Sequence, residues 1–373
     1  AEVRLNDCRE IGQRRVLSLG LVRILSDAGA CMNLALLDLQ GCGLGSEGVA
    51  GASRALRRST PPFLAHLELA NNGMGHRGVA ALAGALPALR ALTHLGVARN
   101  ALTNRGALAL AKGLPFLAAL TSLDVSRNEL DGQGLGAVCE KLLQGAVART
   151  MWSTEDSPEA DGGVCLNVAG NRIGNEECAA LLAKHLSLGV LDGLGLAQTL
   201  IGKGGGLEAL AAGAAAGAGL RSLELSHDVC RGEEGGKRLA ECLEASPRLE
   251  ALRVTSVSLG GGAAAALCAA LSHCPGLTQL TLKDTRVGAS ALAPALRLLP
   301  SLTQLTLGGN RLGSSRDGDA GFAHVARALR DTAPPLVSLD VWGEDFGDEG
   351  AASLAGALAA CTLIEELRVG QNE

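Results

Sequence analysis

Apolar positions recur along this chain in one order, LxxLxLxxNxL, and twelve copies of it can be placed. They are LALLDLQGCGL (34–44), LAHLELANNGM (64–74), LTHLGVARNAL (92–102), LTSLDVSRNEL (120–130), GVCLNVAGNRI (163–173) and LDGLGLAQTLI (191–201). LRSLELSHDVC (220–230), LEALRVTSVSL (249–259), LTQLTLKDTRV (277–287), LTQLTLGGNRL (302–312), LVSLDVWGEDF (336–346) and the shortened IEELRVGQN (364–372) follow. A partial copy, VRLNDCREIG (3–12), precedes them. Within LxL two apolar residues flank one of another kind, the period of a short strand with one buried face. The segment after each strand, such as Leu108–Leu114, has helical spacing. Strand and helix alternate, so the strands run parallel, each joined to the next by a helical crossover.

The asparagine or its stand-in falls at 42, 72, 100, 128, 171, 199, 228, 257, 285, 310, 344 and 372. An asparagine amide both donates and accepts, so it can satisfy backbone groups where the strand turns inward. Cys42, Thr199 and Thr285 replace it in part, Asp228 and Glu344 bring charge, and Val257 cannot hydrogen-bond. Looser turns are expected from Thr199 to Thr285. Most intervals are 28 or 29 residues, but one of 43 holds an insertion at about 144–162, read as a surface loop. A smaller insertion lies at about 314–321.

At 373 residues the chain exceeds the size at which a single core stops growing, unless it is an array whose units pack on their neighbours. With 47% hydrophobic residues it is not a disordered chain, and with 2% aromatic residues its core must be built from Leu, Ala and Val. A net charge of −5 gives no basic face for nucleic acid. Eleven cysteines without paired spacing fit a reducing compartment. No apolar run is long enough for a membrane span and the first residues are not a signal peptide. The expected location is cytoplasmic, with a cytoskeletal or ciliary assembly as one setting. Solenoids need polar end caps, so the sequence also reads as part of a longer protein.

The repeat resembles the leucine-rich repeat family over essentially the whole chain. The tails LGSEGVAGASRAL and MGHRGVAALAGAL are similar to the ribonuclease-inhibitor-like subclass. The resemblance implies an α/β solenoid of about 12–13 repeats, a horseshoe with a parallel β-sheet on the concave face and helices on the convex face. Residues 1–373 are expected to form a single domain. The resemblance also implies function: a protein-interaction scaffold first, and then three alternatives. These are a GTPase regulator resembling Ran GTPase-activating proteins, a sensor array of the NOD-like receptor type, and an enzyme inhibitor.

No enzyme chemistry is expected. GKGGG (202–206) lacks the order of a phosphate loop, and Cys268, His273 and Cys274 do not supply four zinc ligands. No histidine sits in a catalytic motif. No catalytic residue, cofactor, metal, small-molecule substrate, nucleic acid or membrane partner is therefore assigned, and the expected partner is a protein. The face it would use is read by column from residues that alternate with the core leucines: Glu68, Asp124, Glu224, Arg253, Lys283, Asp340 and Trp342. Arg99, Arg127 and His227 come one position before the asparagine. Arg99 and Arg127 are expected to ion-pair with Asp124. Trp342 is read either as an exposed anchor or as packed on the 314–321 insertion.

Overall fold

Each LxL becomes a strand because its two leucines can leave water together only by facing the same way. In the computed structural model, residues 2–5, 23, 25, 31–152, 163–199, 201, 205–226, 232–259, 261–313 and 319–372 are described. Among them thirteen strands follow in chain order: β1 (Glu2–Arg4), β2 (Leu36–Asp38), β3 (His66–Glu68), β4 (His94–Gly96), β5 (Ser122–Asp124), β6 (Val164–Asn167) and β7 (Leu191–Gly195). β8 (Ser222–Ser226), β9 (Ala251–Thr255), β10 (Gln279–Lys283), β11 (Gln304–Thr306), β12 (Ser338–Asp340) and β13 (Glu366–Arg368) complete the series. The pairing is parallel and in template register: Leu67 faces Leu37 and Leu95, and Leu280 faces Leu252 and Leu305.

Among the described residues eleven α-helices alternate with the strands. They are α1 (Gly45–Ser59), α2 (Gly75–Ala83), α3 (Asn104–Ala111), α4 (Gly132–Trp152), α5 (Glu176–Ser187) and α6 (Gly206–Ala216). α7 (Gly232–Glu244), α8 (Gly261–Ala270), α9 (Ala289–Leu296), α10 (Asp319–Thr332) and α11 (Asp348–Ala360) follow. The fold is an α/β leucine-rich repeat solenoid. The chain divides into two compact units, residues 1–193 and 194–373.

In the first unit the template leucines are sealed inside: Leu64, Leu67, Leu92, Leu95, Val97, Leu120, Leu123 and Val125 are at most 2% exposed. The asparagines form a ladder beneath them. Asn100 donates to the carbonyls of Leu69, Val97 and Ala98 at 2.9–3.1 Å, and its Oδ1 accepts the amides of Asn72 and Met74. Asn128 does the same one repeat on, accepting from Asn100 and Leu102, and Asn171 accepts from Leu130. Cys42 takes the first rung by donating its thiol to Leu5 O.

The 144–162 segment differs from expectation. Residues 144–152 continue α4 to Trp152 instead of leaving as a loop, because QGAVARTMW holds no proline and no internal turn sequence. The glycine within it, Gly145, is tolerated in a helix at modest cost. Residues 153–162 lie outside the described set.

In the second unit the same core is built by different rungs. Thr199 donates to Leu196 O at 2.7 Å, and Thr285 gives both its amide and its hydroxyl to Asn310 Oδ1. Val257 is fully buried and adds no side-chain bond. Along the run from Thr199 to Thr285 the strands lengthen: β7 to β10 have five residues each, whereas β2 and β12, with Cys42 and Glu344 at the rung, have three like β3, β4, β5 and β11. The backbone ladder thus runs on across this stretch, while residues 200, 202–204, 227–231 (with Asp228) and 260 of the turns expected to be looser lie outside the described set.

Candidate functional site

Opposite the helices, the sheet presents the residue between each pair of core leucines. In the first unit this column holds Asp38, Glu68, Gly96, Asp124 and Asn167 on adjacent strands. The acids have a local task that their spacing alone does not announce. Each accepts the backbone N–H two residues ahead: Gln40 on Asp38, Ala70 on Glu68, Ser126 on Asp124, with Ala169 on Asn167 alike, all at 2.8–3.1 Å. A short polar side chain bonding to its own backbone two residues on is a turn-forming device. Asp340 repeats it in the second unit with the Trp342 amide at 3.0 Å.

Glu68 has a second peculiarity. Its carboxylate folds over Gly96, where any Cβ would collide with it, and so lies between Asp38 and Asp124. Burial pushes its carboxyl up to about 7, with those two aspartates adding to the rise and the Ala70 amide opposing it. Two residues earlier on the same strands, the His66 and His94 rings stack with centroids 3.7 Å apart. Burial and then the neighbouring His66 lower the affinity of His94 for a proton, and its Nδ1 lies 2.7 Å from Thr93 Oγ1.

Arg99 and Arg127 are exposed, but among the described residues neither forms an ion pair, with Asp124 or any other acid. The reason is backbone geometry. Both residues are left-handed, with φ of 52° and 51°, which swings the side chain away from the Asp124 column. The same position is left-handed at Asn71, Gln198, Ser256, Asp284 and Gln371, and at Gly41, Gly170, Gly309 and Gly343. Four glycines at one repeat position were a legible sign of it in the sequence.

In the second unit Glu224 and Arg253 pair across β8 and β9 at 3.7 Å. They border a shallow depression of about 210 Å³ floored by Leu223, Ala251 and Leu252 and closed by Gln279 and Thr281. Lys283 is exposed at the end of β10. Trp342 is 41% exposed, and its ring lies against bare Gly370 on the next strand. The other surface considered for it, residues 314–318, is outside the described set, as is His227. The candidates are therefore spread: Glu68 and Asp124 two strands apart, Glu224 with Arg253, and Asp340 with Trp342.

Beneath Trp342 sits a buried acid. Glu344 occupies an asparagine rung, is 0% exposed, and accepts the amides of Asn310 and Leu312 at 3.0 Å each. Burial raises its carboxyl to about 7 against those two hydrogen bonds, with Asp345 and Asp284 adding to the rise. The thiols near the motif weighed for metal point inward: Cys268 and Cys274 are buried, and Cys274 reaches Leu243 O and Ser246 O. Burial pushes them up to about 12 and about 11, so they are thiols and not thiolates. Among the described residues no group of three or more His, Cys, Asp or Glu could hold a metal, and no helix is long and apolar enough to cross a membrane.

A Leucine Rich repeat family model matches residues 30–51, 60–83, 89–111 and 119–139. Over those residues the chain carries leucine-rich repeats, in line with the parallel strands and the asparagine ladder. No curated protein sequence matches it. An internalin from Listeria monocytogenes is similar in structure, with 15% identity, 96% of this chain and 89% of that chain covered, and a TM-score of 0.46. The TLR13–ssRNA13 complex is similar at 13% identity, with 91% and 60% covered and a TM-score of 0.34.

Proposed function

We propose that this protein is a non-catalytic scaffold that binds a protein partner on the helix-free face of its sheet. One observation carries the reading. The letters that recur from repeat to repeat are inside, and the letters that vary stand on that face, as Gly96 against Asp124 or Thr281 against Arg253 do. Apart from the residues that bond to the backbone two positions ahead, that face holds no letter the core requires, so recognition can differ there from repeat to repeat. Leucine-rich repeat domains are in general binding scaffolds, and the buried thiols described above are not poised as nucleophiles. The proposed setting is the cytoplasm, within a larger assembly.

Affinity capture with cross-linking mass spectrometry, followed by alanine replacement of Glu68, Asp124, Arg253 and Trp342, tests this. Cross-links on the sheet face and weakened capture are expected. Cross-links confined to the helices, unchanged affinity in all four variants, or capture abolished by ribonuclease would sink it.

A further inference from the structure

The helix side carries a feature unrelated to the sheet face. Between α9 and α10 lies a groove of about 230 Å³ lined by Ala289, Ser290, Ala293, Pro294, Arg297, His324 and Arg327. Its floor is made of small residues: Ala289 and Ala293 are 2% and 5% exposed. Every ionisable group on its wall is an arginine or a histidine, and no carboxylate lines it. That is a local inversion in a chain of net charge −5.

Arginines on helices usually need no ligand, because neighbouring acids neutralise them. Arg238 on α7 shows that ordinary case. Glu234, Glu241 and Glu208 all pair with it, at 3.1, 3.1 and 3.7 Å. The groove arginines are different. Arg297 meets Asp331 through Nη2 at 3.5 Å, and Arg327 meets Glu349 through Nη2 at 4.0 Å, the outer limit for a pair. Among the described residues, no hydrogen bond occupies the Nε or Nη1 of either guanidinium. Two guanidinium forks with unused donors, an imidazole and the Ser290 hydroxyl thus surround one space.

We infer that this groove is an anion site for a phosphate monoester. Forked guanidinium donors suit a tetrahedral oxyanion, and Ser290 and His324 supply donors for its remaining oxygens. A monoester dianion has three terminal oxygens to fill, one more than a phosphodiester offers. The chemistry could come as free phosphate or as a phosphorylated side chain on a partner.

The test is titration of the intact chain at constant chloride with inorganic phosphate, a phosphoserine peptide, its unphosphorylated form, and a short single-stranded oligonucleotide. Saturable binding of the phosphorylated probes is expected, weakened about tenfold or more in R297Q/R327Q, in line with loss of charged hydrogen bonds. R238Q, on an arginine already neutralised, should bind as wild type. Tighter binding of the peptide than of inorganic phosphate assigns the group to a partner, and equal binding assigns it to the free anion. Both leave the site standing. No saturation by either probe, equal binding by R297Q/R327Q, equal loss in R238Q, or preference for the oligonucleotide overturns it. All three arginines are on the surface, so circular dichroism should show each variant folded.

Discussion

The two units build the same core with different joinery. In the first, Asn72, Asn100, Asn128 and Asn171 hand hydrogen bonds from repeat to repeat through side chains, and the strands stop after three or four residues. In the second, Thr199, Val257 and Thr285 do less, and five-residue strands carry the pairing in the backbone. Asparagine is thus one means of ending a strand within a solenoid and not a condition for stacking one. The substitution with consequences is Glu344, where a rung can carry charge.

Removing a rung separates the two designs most sharply. Asn100→Ala strips five hydrogen bonds from a site with no exposure, and the amides of Asn72 and Met74 lose their acceptor. A loss of roughly 3–5 kcal/mol in urea unfolding is expected, against about 1 kcal/mol for Thr199→Ala. Equal losses would break the comparison.

Next in size is the charged rung. The folded carboxyl of Glu344 is held near 7 and the unfolded one near 4.5, so its contribution is fully present below pH 4.5 and is lost as pH rises through about 7. Glu344→Asn restores an amide and should gain about 2 kcal/mol at pH 8, with the gain vanishing at pH 4.5. A pH-independent difference between the two proteins would show that Glu344 does not titrate in this range. Glu68 is raised in the same direction but is only half-buried. Glu68→Gln should flatten the pH profile with the same sign and a smaller amplitude, and a larger one would reverse the order of the two units. Smallest is the left-handed position. Arg99→Gly or Arg127→Gly should change stability by about 1 kcal/mol or less, toward stabilisation, since glycine adopts that backbone without a Cβ clash.

Much of this was legible in the letters. LxL spacing gave every strand from β2 to β13, and Asn, Thr and Val at the rung marked where the ladder would change. Other parts depend on three-dimensional neighbours. That Glu344 would be fully buried does not follow from a rung position that Asp228 also occupies with charge. The left-handed column was visible as glycines, yet reading Arg99 and Arg127 as partners of Asp124 ignored it. The stacked histidines follow from strand register, which the repeat supplies, but the groove between α9 and α10 does not. Its walls come from repeats of 25 and 34 residues, where unequal spacing changes which side chains meet. Trp342 was singled out as the large aromatic of its face, and its support by Gly370 required knowing how the ring turns.

The ladder of the first unit has a direction. Each Oδ1 serves the amides of the repeat before it, so a repeat's turn amides are completed by its successor, while its own rung serves its carbonyls. In genetic terms, that makes a 28-residue block a removable word. Deleting residues 100–127 would bring Asn128 to where Asn100 stood, with Asn72 still served. Arrays wired this way can shorten or lengthen by unequal recombination without first inventing a new contact, and the copies LTHLGVARNALTNRG and LTSLDVSRNELDGQG look like such words side by side.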